Sequence, residues 1–408
     1  MSSWATRSPF FPSEIPPTAG LPLQWGDFLG APSLELGLAT FIGTPEVQIE
    51  CSGTAALIIA LETLKLRSTR RTIVIPAYTC PLVPLAIKRC GLHVQLCDIQ
   101  ANRFDFDEDS LNRTVDSDTL AIVPTHLAGS ACALDSTLHI AKRAGAFIIE
   151  DAAQCLGTTH RADSVGMRGD IGFFSLAAGK GLTLYEGGIL IARDAEMRAA
   201  LRETSRNLVP RQIGMEVLRL IELMGYRMLY NPIGLRFTYG ANLRRWLARG
   251  QPARAVGDVF ADEIPLHRVS ALRKNIGTRA LARLRAAIVR NVLRAHSRVA
   301  ALESIPGLTV IHDLPESRGT WPFLMVLFEL EHRCAAALAE LWTAGLGVSK
   351  LFVHELQGYD YLKKSLPEQA TPNARAFAAR HLTITNSPWL CDADFGRILD
   401  VLRAVSKC

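Results

Sequence analysis

The sequence predicts an α/β fold, a mostly parallel sheet with helices on both faces, followed by a smaller C-terminal α+β unit. Three observations lead there. Between about Val47 and Arg193, apolar runs of strand length alternate with longer stretches of helical period, the pattern of a parallel sheet joined by crossover helices. The chain has 408 residues, 49% hydrophobic and 21% charged, which exceeds what one hydrophobic core usually serves. After Arg193 the alternation stops, and a different helix-rich pattern leads into the C-terminal part.

Taken in order, residues 1–20 are rich in Pro and Ser and read as an irregular arm. Strands are expected at 73–75, 94–97, 120–123, 147–150, 172–175 and 189–192, with helices at 55–66, 84–90 and 136–144 between them. Residues 194–207 read as a charged helix. Residues 208–261 then give aromatic and aliphatic helices broken at Asn231-Pro232 and at Gly240. Here Ile213, Val217, Leu220, Ile221, Met224 and Met228 share one face at helical spacing. The plain reading is an amphipathic helix packed on the domain or on a partner subunit. A membrane-surface or greasy-ligand role is the rival, because Leu218, Leu223, Tyr226 and Leu229 widen the apolar face. Glu216, Arg219, Glu222 and Arg227 argue against a membrane span. One long Arg-rich helix is expected over 272–302, then a strand at 323–330 and helices at 333–344 and 393–405. The expected division is a large unit, 1–262, carrying 208–261 as a helical insertion, and a small unit, 263–408.

Composition narrows the function. A net charge of +6 favours anionic ligands, but no dense Lys/Arg block accompanies it, which disfavours nucleic acid. The nine cysteines are scattered, without C-x-x-C or a Cys/His ligand spacing, so reduced thiols in a cytoplasmic protein are expected and no metal site. The first residues carry prolines where a signal peptide needs an unbroken apolar region.

Three segments carry the chemistry. Ser52-Gly53-Thr54-Ala55 opens a helix whose free N–H groups make an anion site, although such a start is also an ordinary cap. Asp151 closes the apolar run 147–150 and is followed by Gln154; alone, it also fits a satisfied structural carboxylate. Lys180 stands 180 − 151 = 29 residues later, between Gly179 and Gly181 and behind Ser175, with Glu186-Gly187-Gly188 following. A carboxylate that keeps a pyridine nitrogen protonated, and a desolvated lysine able to form a Schiff base, are the two ends of a pyridoxal phosphate site.

In this order and spacing the motifs SGTAAL, VIPAYT, VPTHLAG, EDAAQCLG, GDIGFFS, the Lys180 loop with EGG, and GLGVSKLFVHELQGYDYL resemble the DegT/StrS-type sugar aminotransferases, over nearly the whole chain. The resemblance implies a fold-type-I pyridoxal-phosphate transferase, a cytoplasmic homodimer that moves an amino group, usually from glutamate, to a nucleotide-linked keto sugar. It implies that Lys180 carries the cofactor and relays the proton, that Asp151 partners the ring nitrogen and that Gln154 sits beside the phenolic oxygen. Thr54, Ala55 and Ser175 match phosphate-side positions. Two alternatives stay open. One is another fold-type-I reaction, a lyase or a transfer onto a non-nucleotide ketone. The other is an inactive cofactor-binding scaffold using the apolar insertion.

Three departures stand out. Cys80 occupies the position of an aromatic stacked on the cofactor ring; either Tyr78 substitutes from a neighbouring position or the stacking is lost. Leu266-His267-Arg268-Val269-Ser270 replaces N-Y-R-M-S, whose Asn reaches the partner subunit's phosphate; Arg268, His267 or an asparagine of the insertion is the candidate replacement. The insertion itself lies near the expected substrate mouth. His126 reads equally as a site residue or a structural one, His354 as a weaker substrate contact, and Trp321, Trp342 and Trp389 as packing.

Overall fold

A computed structural model describes residues 13–407. Most of the expected arm lies outside these residues, and 13–20 are irregular. The first strands are β1 (Gln48–Glu50), β2 (Thr72–Pro76), β3 (His93–Cys97), β4 (Thr119–Ile122) and β5 (Phe147–Asp151). A short ribbon, β6 (Thr159–His160) and β7 (Asp163–Ser164), precedes β8 (Ile171–Ser175) and β9 (Gly188–Ala192). The large sheet runs β1-β9-β8-β5-β4-β2-β3. Its pairings from β8 to β3 are parallel, and β9 and β1 add an antiparallel edge.

Helices α1 (Leu34–Ile42), α2 (Gly53–Lys65), α3 (Leu82–Arg89), α4 (Glu108–Thr114), α5 (Asp135–Ala144) and α6 (Ala195–Leu208) accompany this sheet. Both of its faces are covered. In β2, Ile73 and Ile75 join one apolar core, while Val74 between them joins another with Ile122, Ile140 and Ile148. That double burial is why these strands read as continuous apolar runs. The expected strands and helices of this part lie within a few residues of the observed ones; helices α1 and α4, the short edge strand β1 and the ribbon β6–β7 were not anticipated.

The insertion folds as α7 (Ile213–Leu229), α8 (Pro232–Leu235), a π-turn (Arg236–Gly240), α9 (Ala241–Leu247) and α10 (Pro252–Val256). Asn231 caps α8 by accepting a hydrogen bond from the Gly234 N–H, with Pro232 at the first helical position. Gly240 does not break the chain: its φ of −63° and ψ of −36° carry the helix into α9.

The single helix expected over 272–302 is two, α11 (Ala271–Leu281) and α12 (Leu284–Glu303). At the joint the Arg283 N–H bonds three residues back, to Ala280, and the Arg283 guanidinium turns to Pro22 O and Asp27. Ile276, Ala280 and Leu284 pack with Leu34, Leu38 and Leu184 beneath the large sheet. From Ala295 onward α12 belongs to a second core. That core serves a four-stranded antiparallel sheet built from β10 (Leu308–Val310), β12 (Phe323–Phe328), β13 (Val348–Ser349) and β14 (His381–Thr385), in the order β10-β12-β14-β13. Between β10 and β12, β11 (Ser317–Arg318) pairs back onto β6. Helices α13 (Glu331–Leu341), α14 (Pro372–Arg380) and α15 (Asp392–Lys407) complete this part.

Candidate active site

The parallel strands deliver the chemistry at their carboxyl ends. Asp151 is the last residue of β5, Ser175 the last of β8, and Cys80 lies just past β2. Beside them α2 presents its N-terminus, where the Ser52 hydroxyl caps the helix by accepting from the Ala55 N–H at 3.0 Å. Gly188 makes this approach possible, because a Cβ there would lie 2.2 Å from Ser52 O. A cavity of about 460 Å³ opens between these ends, lined by Ser52, Gly53, Thr54, Cys80, Asp151, Gln154, Ser175 and Lys180.

Lys180 sits in a loop held at several points. Gly179 adopts φ +80°, where a side chain is strained, and its carbonyl accepts from the Thr18 hydroxyl at 2.7 Å. The Lys180 amine has no hydrogen-bond or salt-bridge partner among the described residues. Its pKa is lowered, chiefly by burial, against the opposing influence of Cys80, Asp151 and Cys155. Asp151 is 3% exposed and its pKa is pushed up to about 6 by burial; the Ala153 N–H, at 3.0 Å, and Lys180 act the other way. It is a buried carboxylate without an ion-pair partner among the described residues, a costly state that a protonated ring nitrogen would relieve.

Glu150, next to Asp151, is a scaffold. It accepts from the backbone N–H groups of Gly166, Arg168 and Gly169 and pairs with His126 at 2.9 Å. Because the His126 Nδ1 accepts from the Cys132 N–H, its Nε2 carries the proton donated to Glu150. Burial raises the Glu150 pKa, but His126 and the backbone donors outweigh it and hold the carboxyl below its usual range. His126 thus both lines the cavity and fills a structural role. Gln154 uses its side-chain oxygen to accept from the Ala128 N–H at 3.0 Å, which leaves its amide N–H groups for the cavity.

Two predicted site residues lie elsewhere. Tyr78 is fully buried away from the cavity, its hydroxyl 3.0 Å from His381 Nε2 and accepting from the Phe352 N–H, so it does not replace a stacked aromatic. Ala55 is also buried, and its N–H is occupied by Ser52. Cys80 does line the cavity, its thiol pushed up to about 12 by burial and by Asp151. His354 lines a separate surface cavity with Lys350 and Arg375.

The candidate replacements for the partner-subunit contact are occupied as well. Arg268 donates to the carbonyls of Val209 and Arg206, His267 pairs with Glu216 at 2.9 Å, and Asn231 and Asn242 bond to their own helical turns. Instead the insertion contributes Arg219 and, in the irregular stretch after α10, Phe260 and Ala261 to the cavity wall. Arg219 pairs with Glu186 of the EGG turn and, at 2.6 Å, with Glu222. Reading α7 by its apolar residues missed Arg219; its position three residues after Glu216, on the same face, was the available signal.

A second, smaller cavity of about 150 Å³ meets the first at Gln154, Ser175 and Lys180. It lies between residues 18–22 and α12, which supplies Arg290, Asn291 and Arg294. Neither arginine forms an ion pair among the described residues, and burial, then Arg290, lowers the Arg294 pKa.

A parallel α/β sheet with a lysine and a carboxylate converging at its strand ends defines the fold-type-I pyridoxal-phosphate transferases. The chain matches the DegT/DnrJ/EryC1/StrS aminotransferase family over residues 28–229 and 251–403, and it belongs to that family. It is a pyridoxal-phosphate-dependent aminotransferase of the sugar aminotransferase group. The one internal stretch between the two matched segments, 230–250, falls inside the insertion. Among curated proteins it is 27% identical over 384 residues to the spore coat polysaccharide biosynthesis protein SpsC of Bacillus subtilis (strain 168), covering 91% of this chain and 88% of that one. Over 168 residues it is 30% identical to the GDP-perosamine synthase of Caulobacter vibrioides, 41% of this chain and 45% of that one. Its fold is similar to that of Helicobacter pylori PseC, an aminotransferase involved in the biosynthesis of pseudoaminic acid, with a TM-score of 0.74 at 15% identity, covering 97% of this chain and 99% of that one.

Proposed function

We propose that this chain moves an amino group from glutamate to a nucleotide-linked keto sugar, with Lys180 as the proton relay and Asp151 as the partner of the cofactor's ring nitrogen. The observation that carries this reading is the convergence of Lys180, Asp151, Gln154, Ser175 and the N-terminus of α2 on one cavity. Pyridoxal phosphate, when bound, supplies the electron sink that lets a proton leave the carbon bearing the amino group. The chain supplies the rest. The depressed amine of Lys180 takes the proton from one carbon and returns it to another. Asp151 balances the positive charge that keeps the ring electron-poor. Ser52, Gly53, Thr54 and Ser175 hold the phosphate at a helix N-terminus. Gln154 offers its amide to the phenolic oxygen.

The nucleotide-linked substrate is supported by the similarity to a GDP-perosamine synthase. The guanidinium of Arg290, unpaired among the described residues, is a partner for the donor's carboxylate on the other side of Lys180. A cytoplasmic homodimer and a two-unit chain, 1–262 and 263–408, belong to the same proposal and rest on the family reading. Here α11 is the part of the second unit that packs back onto the first.

The test is a half-reaction. The purified, cofactor-loaded protein is incubated with glutamate and no acceptor. Release of one 2-oxoglutarate per chain supports the proposal, whereas no keto acid from glutamate, or release of carbon dioxide in its place, refutes it.

A further inference from the structure

Helix α7 is turned the opposite way from what its apolar pattern suggests. Its inward face consists of Glu216, Arg219, Leu223, Tyr226 and, just beyond the helix, Tyr230. Glu216 binds His267 and Arg273, Arg219 binds Glu186, and Leu223, Tyr226 and Tyr230 are buried. Tyr230 also donates to Thr18 O, next to the lysine loop. Of the predicted stripe, Leu220 packs against the core, while Ile213, Val217, Ile221, Met224 and Met228 face outward, with Ile213 81% and Ile221 60% exposed. It is followed past the helix by exposed Ile233 and Phe237, one helical turn apart. Trp25, also exposed, stands under Arg227, whose guanidinium lies 4.7 Å from the ring centroid.

The charges of the same segment decide what fits this face. Residues 208–261 hold eight arginines, no lysine and three acids, 8 − 3 = +5 of the chain's net +6. All three acids are engaged inside the fold: Glu216 as above, Glu222 by Arg219, and Asp258 by the Tyr359 hydroxyl and the Val353 N–H. Of the arginines, Arg219 and Arg244 form ion pairs. Arg245, Arg249 and Arg254 are exposed and gather on one indole, 5.7, 5.2 and 5.2 Å from the Trp246 ring centroid. A two-fold contact with a second copy would set this excess of positive charge against itself. An apolar stripe on α7 with a neighbouring tryptophan, followed from α9 to α10 by exposed arginines that have no ion-pair partner among the described residues, instead gives the segment the composition of a surface that meets an acidic lipid interface. Among the described residues no helix is long and apolar enough to cross a membrane.

We propose that the outward face of α7, extended by Ile233 and Phe237, docks the enzyme on an anionic lipid surface. The stripe enters the headgroup boundary, and the arginines of α9 and α10 attract the acidic headgroups. Because Arg219 of the same segment lines the candidate site and Tyr230 bonds Thr18 at its edge, docking places that site beside the lipid. The inference does not rest on the reaction proposed above, and its test measures no turnover.

The cofactor-loaded protein is sedimented with vesicles of phosphatidylcholine, with and without phosphatidylglycerol, and its mass in solution is measured alongside. Three chains are compared: wild type, Ile221→Glu/Met224→Glu and Arg245→Glu/Arg249→Glu. All the altered residues are exposed, and none belongs to the candidate site, so each variant should keep its melting temperature. Wild type is expected to bind the vesicles containing phosphatidylglycerol, with affinity falling as salt rises. The stripe variant should lose about tenfold or more of that binding, and the arginine variant should lose mainly its salt-sensitive part. The proposal is overturned if wild type ignores acidic vesicles or if the stripe variant binds as wild type does. It is equally overturned if the stripe variant falls from dimer to monomer, which would make a second copy the occupant of this face.

Discussion

The stretch from β5 to β9 and the helix α7 were both legible as patterns, yet only the first was legible as structure. In β5 and β8 every apolar residue points into a core on one face or the other, so the continuous run had one meaning, and Asp151 and Ser175 at its ends could only face the open strand edge. In α7 two faces compete. The apolar one is exposed, and the face carrying Glu216 and Arg219 is the packed one, because His267, Arg273 and Glu186 meet it. Those partners lie about fifty residues downstream or thirty upstream. Local periodicity measures how apolar a face is, not whether a distant partner has made burial of the charged face favourable.

The largest expected effect lies in the first region. Lys180→Ala should lower turnover by about 10³-fold or more, the order expected when a positioned proton-transfer group is removed, with the fold intact by circular dichroism. Next, Asp151→Asn should lower kcat by about 10²-fold, and it should also change the pH dependence of the cofactor-free protein. The folded pKa of Asp151, about 6, lies above its unfolded value of 3.8. Its contribution to stability is therefore full below about pH 4 and is lost as pH rises through about 6. The Asn variant should lack that decline in melting temperature, which reloading wild type with cofactor should also suppress.

The second region sharpens the contrast within one helix. Leu223→Ala should cost about 3 kcal/mol in denaturant unfolding, and Ile221→Ala two residues earlier no more than about 0.5 kcal/mol. Equal costs would mean that α7 is turned the other way. Glu216→Ala should cost about 3 kcal/mol, because Arg273 and His267, both fully buried, lose their carboxylate. His267 adds a pH signature: Glu186 and Glu216 raise its pKa to about 9 from 6.5. Its stabilisation is complete below pH 6.5 and disappears as pH rises through about 9, so His267→Gln should flatten the melting curve over that window. Among the site variants the mildest effect is expected at Arg290→Ala, a rise of about tenfold in the KM for glutamate with kcat little changed.

Other features escaped the sequence for separate reasons. The joint at Ala282–Arg283 has no Gly or Pro to announce it; it follows from the bond of Arg283 to Asp27, some 250 residues earlier. Tyr78 looked available for stacking because its neighbours in sequence line the site, but His381 of β14 and Phe352 draw it into the core. The strand β14 carries a readable signal, since His-Leu-Thr-Ile-Thr (381–385) alternates polar and apolar residues, but the run is short and directly follows α14; all five residues are buried.

Lys180 is the proposed attachment point of the cofactor. The most direct measurement is to load the purified protein with pyridoxal phosphate, reduce it with borohydride and weigh its peptides. The predicted result is a phosphopyridoxyl group on the peptide containing Lys180, absent from Lys180→Ala. A label on any other lysine, or an unlabelled wild-type chain, would contradict it.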